Sequence, residues 1–260
     1  MKFPSKAVIL AGGLGPRLSE LTDVIPKPMV EIGGKPLLWH ILSFYSLYGV
    51  NEFIVCAGYR GNLIKEYFNN YFINNSDVTF EVKNNVIRSH TERTEPWTVT
   101  VVDTGQDTMT GGRLKKIKPY VQGDETFFMT YGDGLSDVNL SALFKTHASE
   151  SRLATVTAVR PPARFGEIIA EGSKVTSFSE KPVDQAPWIN GGFFVVSPKA
   201  LDFIEGDNTS WESDTMKLLT QSDELSVHHH NGFWRPMDTL KDQRSIQEMW
   251  DLGERPWLRH

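Results

Sequence analysis

Three glycines and two cations near the start of the chain make a polyphosphate site the first chemistry to consider. Ala7-Val8-Ile9-Leu10-Ala11 is a short apolar run fit for a buried parallel strand, and it breaks into Gly12-Gly13-Leu14-Gly15-Pro16-Arg17-Leu18. A strand that ends in glycines leaves backbone N–H groups open to phosphate oxygens, because no Cβ blocks the approach. Arg17 and Lys27, the latter set between Pro26 and Pro28, add the positive charge a polyphosphate requires. A P-loop would end in Gly-Lys-Ser/Thr, whereas this loop ends in Pro16-Arg17-Leu18. A dinucleotide fingerprint would need its third glycine at Leu18, and Pro26-Lys27-Pro28 interrupts the stretch where its crossover helix should run.

Two carboxylates are candidates for a metal. Asp133 stands between Gly132 and Gly134 after the apolar run Thr126–Tyr131, at the carboxyl end of a strand, where ligands bind in open α/β sheets. The same position suits an aspartate that merely bonds its own turn. Asp238, in Trp234-Arg235-Pro236-Met237-Asp238-Thr239, equally suits an N-cap for the helix that follows. Set on separate elements, the two can grip one Mg2+ while substrate phosphates complete its octahedral shell. His228-His229-His230 reads as a strand whose neighbours point to opposite faces, not as a metal site.

The elements that must position these groups alternate along the first half. Strands are expected at 7–11, 52–57, 126–131 and 153–160, and helices at 139–148 and, with apolar residues at helical spacing, at 35–48 and 61–72. That alternation predicts an α/β fold with a mixed, mostly parallel central sheet flanked by helices. Residues 76–121, charged and alternating, read as a small antiparallel excursion or long loop beside the site. The second half has strands at 165–170, 174–179 and 191–196 and helices at 198–205 and 240–252. With neither repeat nor linker in view, 1–260 is expected to be one domain, with 198–260 a C-terminal subregion.

Composition narrows the partners. A net charge of −5 over 260 residues argues against broad nucleic-acid binding, so any basic site must be local. The one cysteine, Cys56, lies in an apolar run and is expected in the core; with no second cysteine, no internal disulfide forms, which fits a reducing cytoplasm. The first apolar run is too short for a signal-peptide core, and nothing approaches the ~20 apolar residues of a membrane span. Trp234 and Trp257 are expected at contacts between subunits of a homo-oligomer.

These blocks resemble, in order, the sugar-nucleotide pyrophosphorylases, whose pattern is Leu-x-Gly-Gly-x-Gly-x-Arg-Leu followed by Lys-Pro. The resemblance implies a Rossmann-like nucleotidyltransferase fold and a metal held by the residues matching Asp133 and Asp238. It also implies catalytic roles for Arg17 and Lys27 and a nucleotide bound along Leu10, Ala11, Gly12, Gly13, Gly15, Thr108, Arg113 and Gly132. Glu180-Lys181-Pro182 resembles the motif whose glutamate meets sugar hydroxyls and whose lysine meets the sugar phosphate. Arg164-Phe165-Gly166 resembles the sugar-contacting glycine turn, and Asn190-Gly191-Gly192 the strand beside the sugar pocket. Glu95–Gly105, Met109–Leu114 and Pro236–Thr239 are similar to the glucose-1-phosphate cytidylyltransferase branch, which implies CTP and a sugar 1-phosphate as substrates, Mg2+ as cofactor and CDP-glucose as product. Another nucleotide or sugar, or an idle sensor on the same fold, stays open as the alternative. One departure stands out: Pro16 occupies a loop position usually held by threonine, and proline has no N–H to offer a phosphate.

Overall fold

A computed structural model describes residues 1–15, 24–91, 94–161, 167–179 and 187–259. Pro16, Arg17, Arg164, Phe165, Gly166, Glu180, Lys181 and Pro182, expected above at the site, lie outside the described residues.

Seven strands form the central sheet. They are β1 (Lys6–Ala11), β2 (Glu52–Ala57), β3 (Thr98–Asp103), β4 (Phe127–Tyr131), β5 (Ala154–Val159), β6 (Ile189–Val196) and β7 (Leu225–His230). Their spatial order is β7-β5-β6-β4-β1-β2-β3. Only β6 runs against its neighbours; β1 pairs in parallel with β2 and β4, β2 with β3, and β5 with β7. The sheet is therefore mixed and mostly parallel, as the alternation of elements predicts.

Burial on both faces explains the continuous apolar runs. Along β1, Ala7, Ile9 and Ala11 join one core cluster, while Val8 and Leu10 join the other. Each fully buried aliphatic side chain of this kind contributes about 1.5–3 kcal/mol. The first face is covered by helix α1 (Leu37–Ser46), which buries Leu37, Leu38, Ile41, Leu42 and Tyr45 and fits the 35–48 expectation. The expected helix over 61–72 stops at α2 (Gly61–Asn69), and a separate turn, Tyr71–Asn74, follows. The second face is covered by α3 (Thr110–Lys116) and by the Pro198–Phe203 turns, which are 3-10 rather than α-helical. Helices α4 (Leu140–Glu150) and α5 (Leu240–Asp251) complete the framework.

Residues 76–121 divide into three parts. An antiparallel hairpin, Val78–Glu81 with Val86–Ser89, stands apart from the main sheet. The next stretch is the edge strand β3, in parallel register with β2 from Thr98 opposite Glu52 to Asp103 opposite Ala57, and then comes α3. Alternating polarity marks β3 as half-exposed because it has a neighbour on one side only. Trp257, expected at a subunit contact, is fully buried within the chain: its indole N–H donates to His40 Nδ1 at 3.2 Å, and its ring lies 5.6 Å from that of Phe233. The C-terminal turn Pro256–Leu258 folds it back onto α1, a long-range contact that local composition does not announce. Cys56 is buried on β2, and burial pushes its thiol pKa up to about 12, so it is a core residue and not a reactive thiol. Among the described residues, no helix is long and apolar enough to cross a membrane.

Candidate active site

The site forms where the carboxyl ends of β1 and β4 face the return of the C-terminal segment. A cleft of about 410 Å³ is lined by the glycine loop Leu10–Gly15, Lys27, Thr108, Arg113, Tyr131–Asp133, Glu212 and Asp238. Its floor requires small residues. Gly132 donates its N–H to Leu10 O at 2.9 Å, and a Cβ there would stand 3.0 Å from Pro28 and 3.1 Å from that carbonyl. The loop that carries Asp133 thus rests directly on the end of β1.

The two aspartates are brought together by a short ladder. Gly134–Ser136 pairs antiparallel with Trp234–Pro236, placing Gly134 opposite Pro236, and the Met237 N–H then donates to Asp133 O at 2.7 Å. The residue before one strand and the second residue after the other therefore end up side by side. Helix α5 does not use Asp238 as its cap. Thr239 Oγ1 accepts from Asp242 N at 3.2 Å, and Asp242 Oδ2 accepts from Thr239 N at 2.9 Å, closing a capping box. The Asp238 carboxylate is left to the cleft, and Asp133 likewise turns outward rather than onto its own turn.

Both carboxylates meet Lys27. Its Nζ lies 2.9 Å from Asp133 Oδ2 and 2.7 Å from Asp238 Oδ1. Lys27 opens a single 3-10 turn, Lys27–Met29, whose flanking Pro26 and Pro28 fix the backbone and leave the side chain only 10% exposed. Removed from bulk water, this ion pair is worth more than an exposed one, although Asp133, 41% exposed, is still screened on its open side.

Arg113 has a different position from a free ligand-binding cation. It is 4% exposed, and its guanidinium donates to Thr104 Oγ1 and Gly105 O at 2.7 Å, Gly12 O at 3.0 Å and Gln106 O at 3.1 Å. A Cβ on Gly12 would come within 2.1 Å of Nη1, so the glycine loop lies flat on this arginine. Arg113 shapes the cleft by fastening β1's loop to the loop after β3. Thr108, nearly buried, is held by Lys116 Nζ at 3.1 Å. The Glu95–Gly105 block makes contact with the site only at its far end. Glu95 itself accepts from Trp39 Nε1 at 2.9 Å and ties the segment before β3 to α1.

Residues absent from the sequence reading complete the wall. Tyr131 donates its hydroxyl to Glu212 Oε1 at 2.6 Å, and Glu212 Oε2 accepts from Thr110 at 2.6 Å and Ser210 at 2.9 Å. Burial, followed by the Glu212 charge, pushes the Tyr131 phenol far above its ordinary pKa and keeps it a proton donor. Asn190, at the end of β6, donates Nδ2 to Tyr131 Oη at 3.3 Å, and Gly192, beside it at φ +81°, lies against the Tyr131 ring. Glu212 sits in the short π-helical segment Trp211–Thr215, 81 residues from Tyr131, and no local motif announces it.

Among the described residues, no group of three or more His, Cys, Asp or Glu side chains converges as a metal site. The two aspartates nonetheless suit a hard divalent cation. Both are oxygen donors, and they already converge on one positive charge, the Lys27 ammonium. Two protein ligands leave most of the shell to phosphate oxygens and water, the usual arrangement for a metal that binds with its nucleotide.

A glycine loop on β1, a buried lysine and two converging aspartates agree with a family pattern that matches residues 6–247, described as nucleotidyl transferase. The chain belongs to the nucleotidyl transferase family. It is 52% identical over 252 residues to the glucose-1-phosphate cytidylyltransferases of Salmonella typhi and Salmonella typhimurium, covering 97% of this chain and 98% of each relative. In solved structures the same fold occurs in HddC from Yersinia pseudotuberculosis complexed with GMP-PN (TM-score 0.67, 22% identity, 94% of this chain and 99% of that one). Nucleotidyl transferases generally use a divalent metal, in keeping with the aspartate pair.

Proposed function

We propose that the enzyme joins CTP and α-D-glucose 1-phosphate to give CDP-glucose and pyrophosphate. The observation that carries this reading is the 52% identity with the Salmonella typhi glucose-1-phosphate cytidylyltransferase across nearly the full length of both chains. A non-bridging oxygen of the sugar phosphate attacks the α-phosphorus in line. The bond from that phosphorus to the oxygen of the β-phosphate breaks, and the pyrophosphate leaves with the electron pair. A phosphate monoester, with a second pKa near 6, is already largely anionic at neutral pH, so no general base is required. Catalysis then rests on positioning and charge neutralisation.

Arg17 and the Gly12, Gly13 and Gly15 backbone hold the β- and γ-phosphates, and Lys27 meets the charge developing at the α-phosphate. Leu10, Ala11, Gly132, Thr108 and Arg113 form the nucleoside side of the cleft, with Arg113 acting through the loops it fastens. Glu180, Lys181, Gly166, Asn190 and Gly192 receive the sugar phosphate. Asp133 and Asp238 would hold Mg2+, which would supply charge neutralisation. Lys27 lies 2.9 Å from Asp133 and 2.7 Å from Asp238, so it would share both carboxylates with a cation held there. The chain works as one unit of 1–260, with the loop after β3 and the start of α3, within 76–121, beside the nucleotide side and 198–260 as a C-terminal subregion. It acts as a cytoplasmic homo-oligomer on small molecules alone, without nucleic acid or membrane.

Pyrophosphate release across CTP, UTP, dTTP and GTP, each paired with several sugar 1-phosphates, tests the choice of substrates. The greatest efficiency is expected for CTP with glucose 1-phosphate. A different best pair would replace the substrates and keep the family, and release with no pair would favour a sensor.

A further inference from the structure

Glu212 takes no part in the chemistry above, yet it is the hub of the cleft's polar wall. Its two carboxylate oxygens accept three hydroxyl protons, from Tyr131, Thr110 and Ser210. A carboxylate can only accept, so the direction of each bond is fixed. The Tyr131 proton points to Glu212, which leaves a lone pair of Tyr131 Oη for Asn190 Nδ2. At the other end, Asn190 Oδ1 accepts the Gly192 N–H at 2.8 Å. The Asn190 amide is thereby held one way round, since the flipped amide would set its NH2 against the Gly192 N–H and its oxygen against a tyrosine lone pair. The remaining Nδ2 hydrogen is a donor with a defined direction. Asn190 borders a small pocket together with Asp133, Gly192 and Trp234, beside the metal aspartates.

We propose that Glu212 is a positioning residue which, through Tyr131, fixes the Asn190 amide as a hydrogen-bond donor to an oxygen of the sugar 1-phosphate. This rests on the reading that the Asn190 side of the cleft takes the sugar phosphate. Glu212 then governs sugar affinity from a distance and leaves nucleotide binding largely alone.

The test is steady-state kinetics on Glu212→Ala, Tyr131→Phe, the double variant and Glu212→Gln, with CTP affinity measured separately by calorimetry. Glu212→Ala and Tyr131→Phe are each expected to raise KM for glucose 1-phosphate about tenfold while CTP affinity stays within about twofold. The double variant should be no worse than the worse single, because both act through one donor. Glu212→Gln, which can still present an oxygen to Tyr131, should recover most of the sugar affinity. Additive losses, or equal losses for sugar and nucleotide, would overturn the proposal while wild-type turnover keeps the reaction standing. Failure of Glu212→Ala to fold would leave Tyr131→Phe and Glu212→Gln to decide, and absence of wild-type turnover would overturn both readings together.

Discussion

The Lys27 ammonium lies 2.7 Å from the Asp238 carboxylate, a contact that closes the chain across 211 positions. Asp133 meets the same nitrogen from a third segment, at 2.9 Å. One cation therefore organises both aspartates before any substrate arrives. On the proposed reading, a divalent ion and Lys27 would compete for the same oxygens.

Asp133→Asn and Asp238→Asn are each expected to lower kcat by about a thousandfold or more, as loss of several kcal/mol of metal-borne charge stabilisation requires. Thermal melts should show each variant folded, since Asp133 is partly exposed and Asp238 caps no helix. Titration of Mn2+ in the presence of CTP, followed by electron paramagnetic resonance, should show weakened metal uptake in both. Near-normal turnover in either would remove that aspartate from the metal site.

Lys27→Ala should reduce kcat more than it weakens nucleotide binding, because its contact strengthens as charge develops at the α-phosphate. Single-turnover rates set beside CTP dissociation constants separate the two effects. A rise in the Michaelis constant for CTP with an unchanged rate would make Lys27 a uniform binder.

Arg113→Lys is expected to destabilise the fold by at least about 2 kcal/mol in urea unfolding. A lysine has no planar fork for the carbonyls of Gly12, Gly105 and Gln106, and each buried acceptor left unpaired costs about 1–3 kcal/mol. Unchanged stability would show that the loops hold their places without the guanidinium.

His40 gives the stability a pH dependence with a definite sign. Burial holds its pKa down to about 4 from 6.5, and Trp257 donates to its Nδ1, so the folded ring is neutral with its proton on Nε2 facing Ile32 O. Between those two values the unfolded chain binds more protons than the folded one. This contribution is complete above pH 6.5 and is lost as pH falls toward 4, at up to about 1.4 kcal/mol per pH unit. His40→Gln keeps one donor and one acceptor without titrating, so urea unfolding near pH 7 and near pH 5.5 should show a shallower loss in the variant. Equal losses in both proteins would contradict the assignment.

Much of the architecture could be read from periodicity. Ala7–Ala11, Phe53–Ala57 and Phe127–Tyr131 are continuous apolar runs because both faces of the sheet are covered, and each becomes a strand of the parallel half. Lys27, Asp133 and Asp238 stand out as candidates by residue type and by the flanking glycines and prolines. Their convergence does not, because it depends on the Gly134–Pro236 pairing between segments a hundred residues apart. Asp238 and Thr239 compete locally for one cap, and Asp242 decides the matter by completing the box with Thr239. Arg113 carries a charge that suits a phosphate, but β1's loop buries it under Gly12. Glu212 is not legible in the sequence because its partners Tyr131, Thr110 and Ser210 come from separate elements and its own segment has no motif.

Transfer of a cytidylyl group to a sugar phosphate is best followed by observing both products at once. Purified protein is incubated with CTP, glucose 1-phosphate and Mg2+, and the phosphorus resonances are recorded over time. CDP-glucose and pyrophosphate are expected to rise together in equal amounts, neither is expected to form without the sugar phosphate, and added pyrophosphate should drive the reaction back to CTP. Release of pyrophosphate with CMP in place of CDP-glucose, or no change in any resonance, would contradict it.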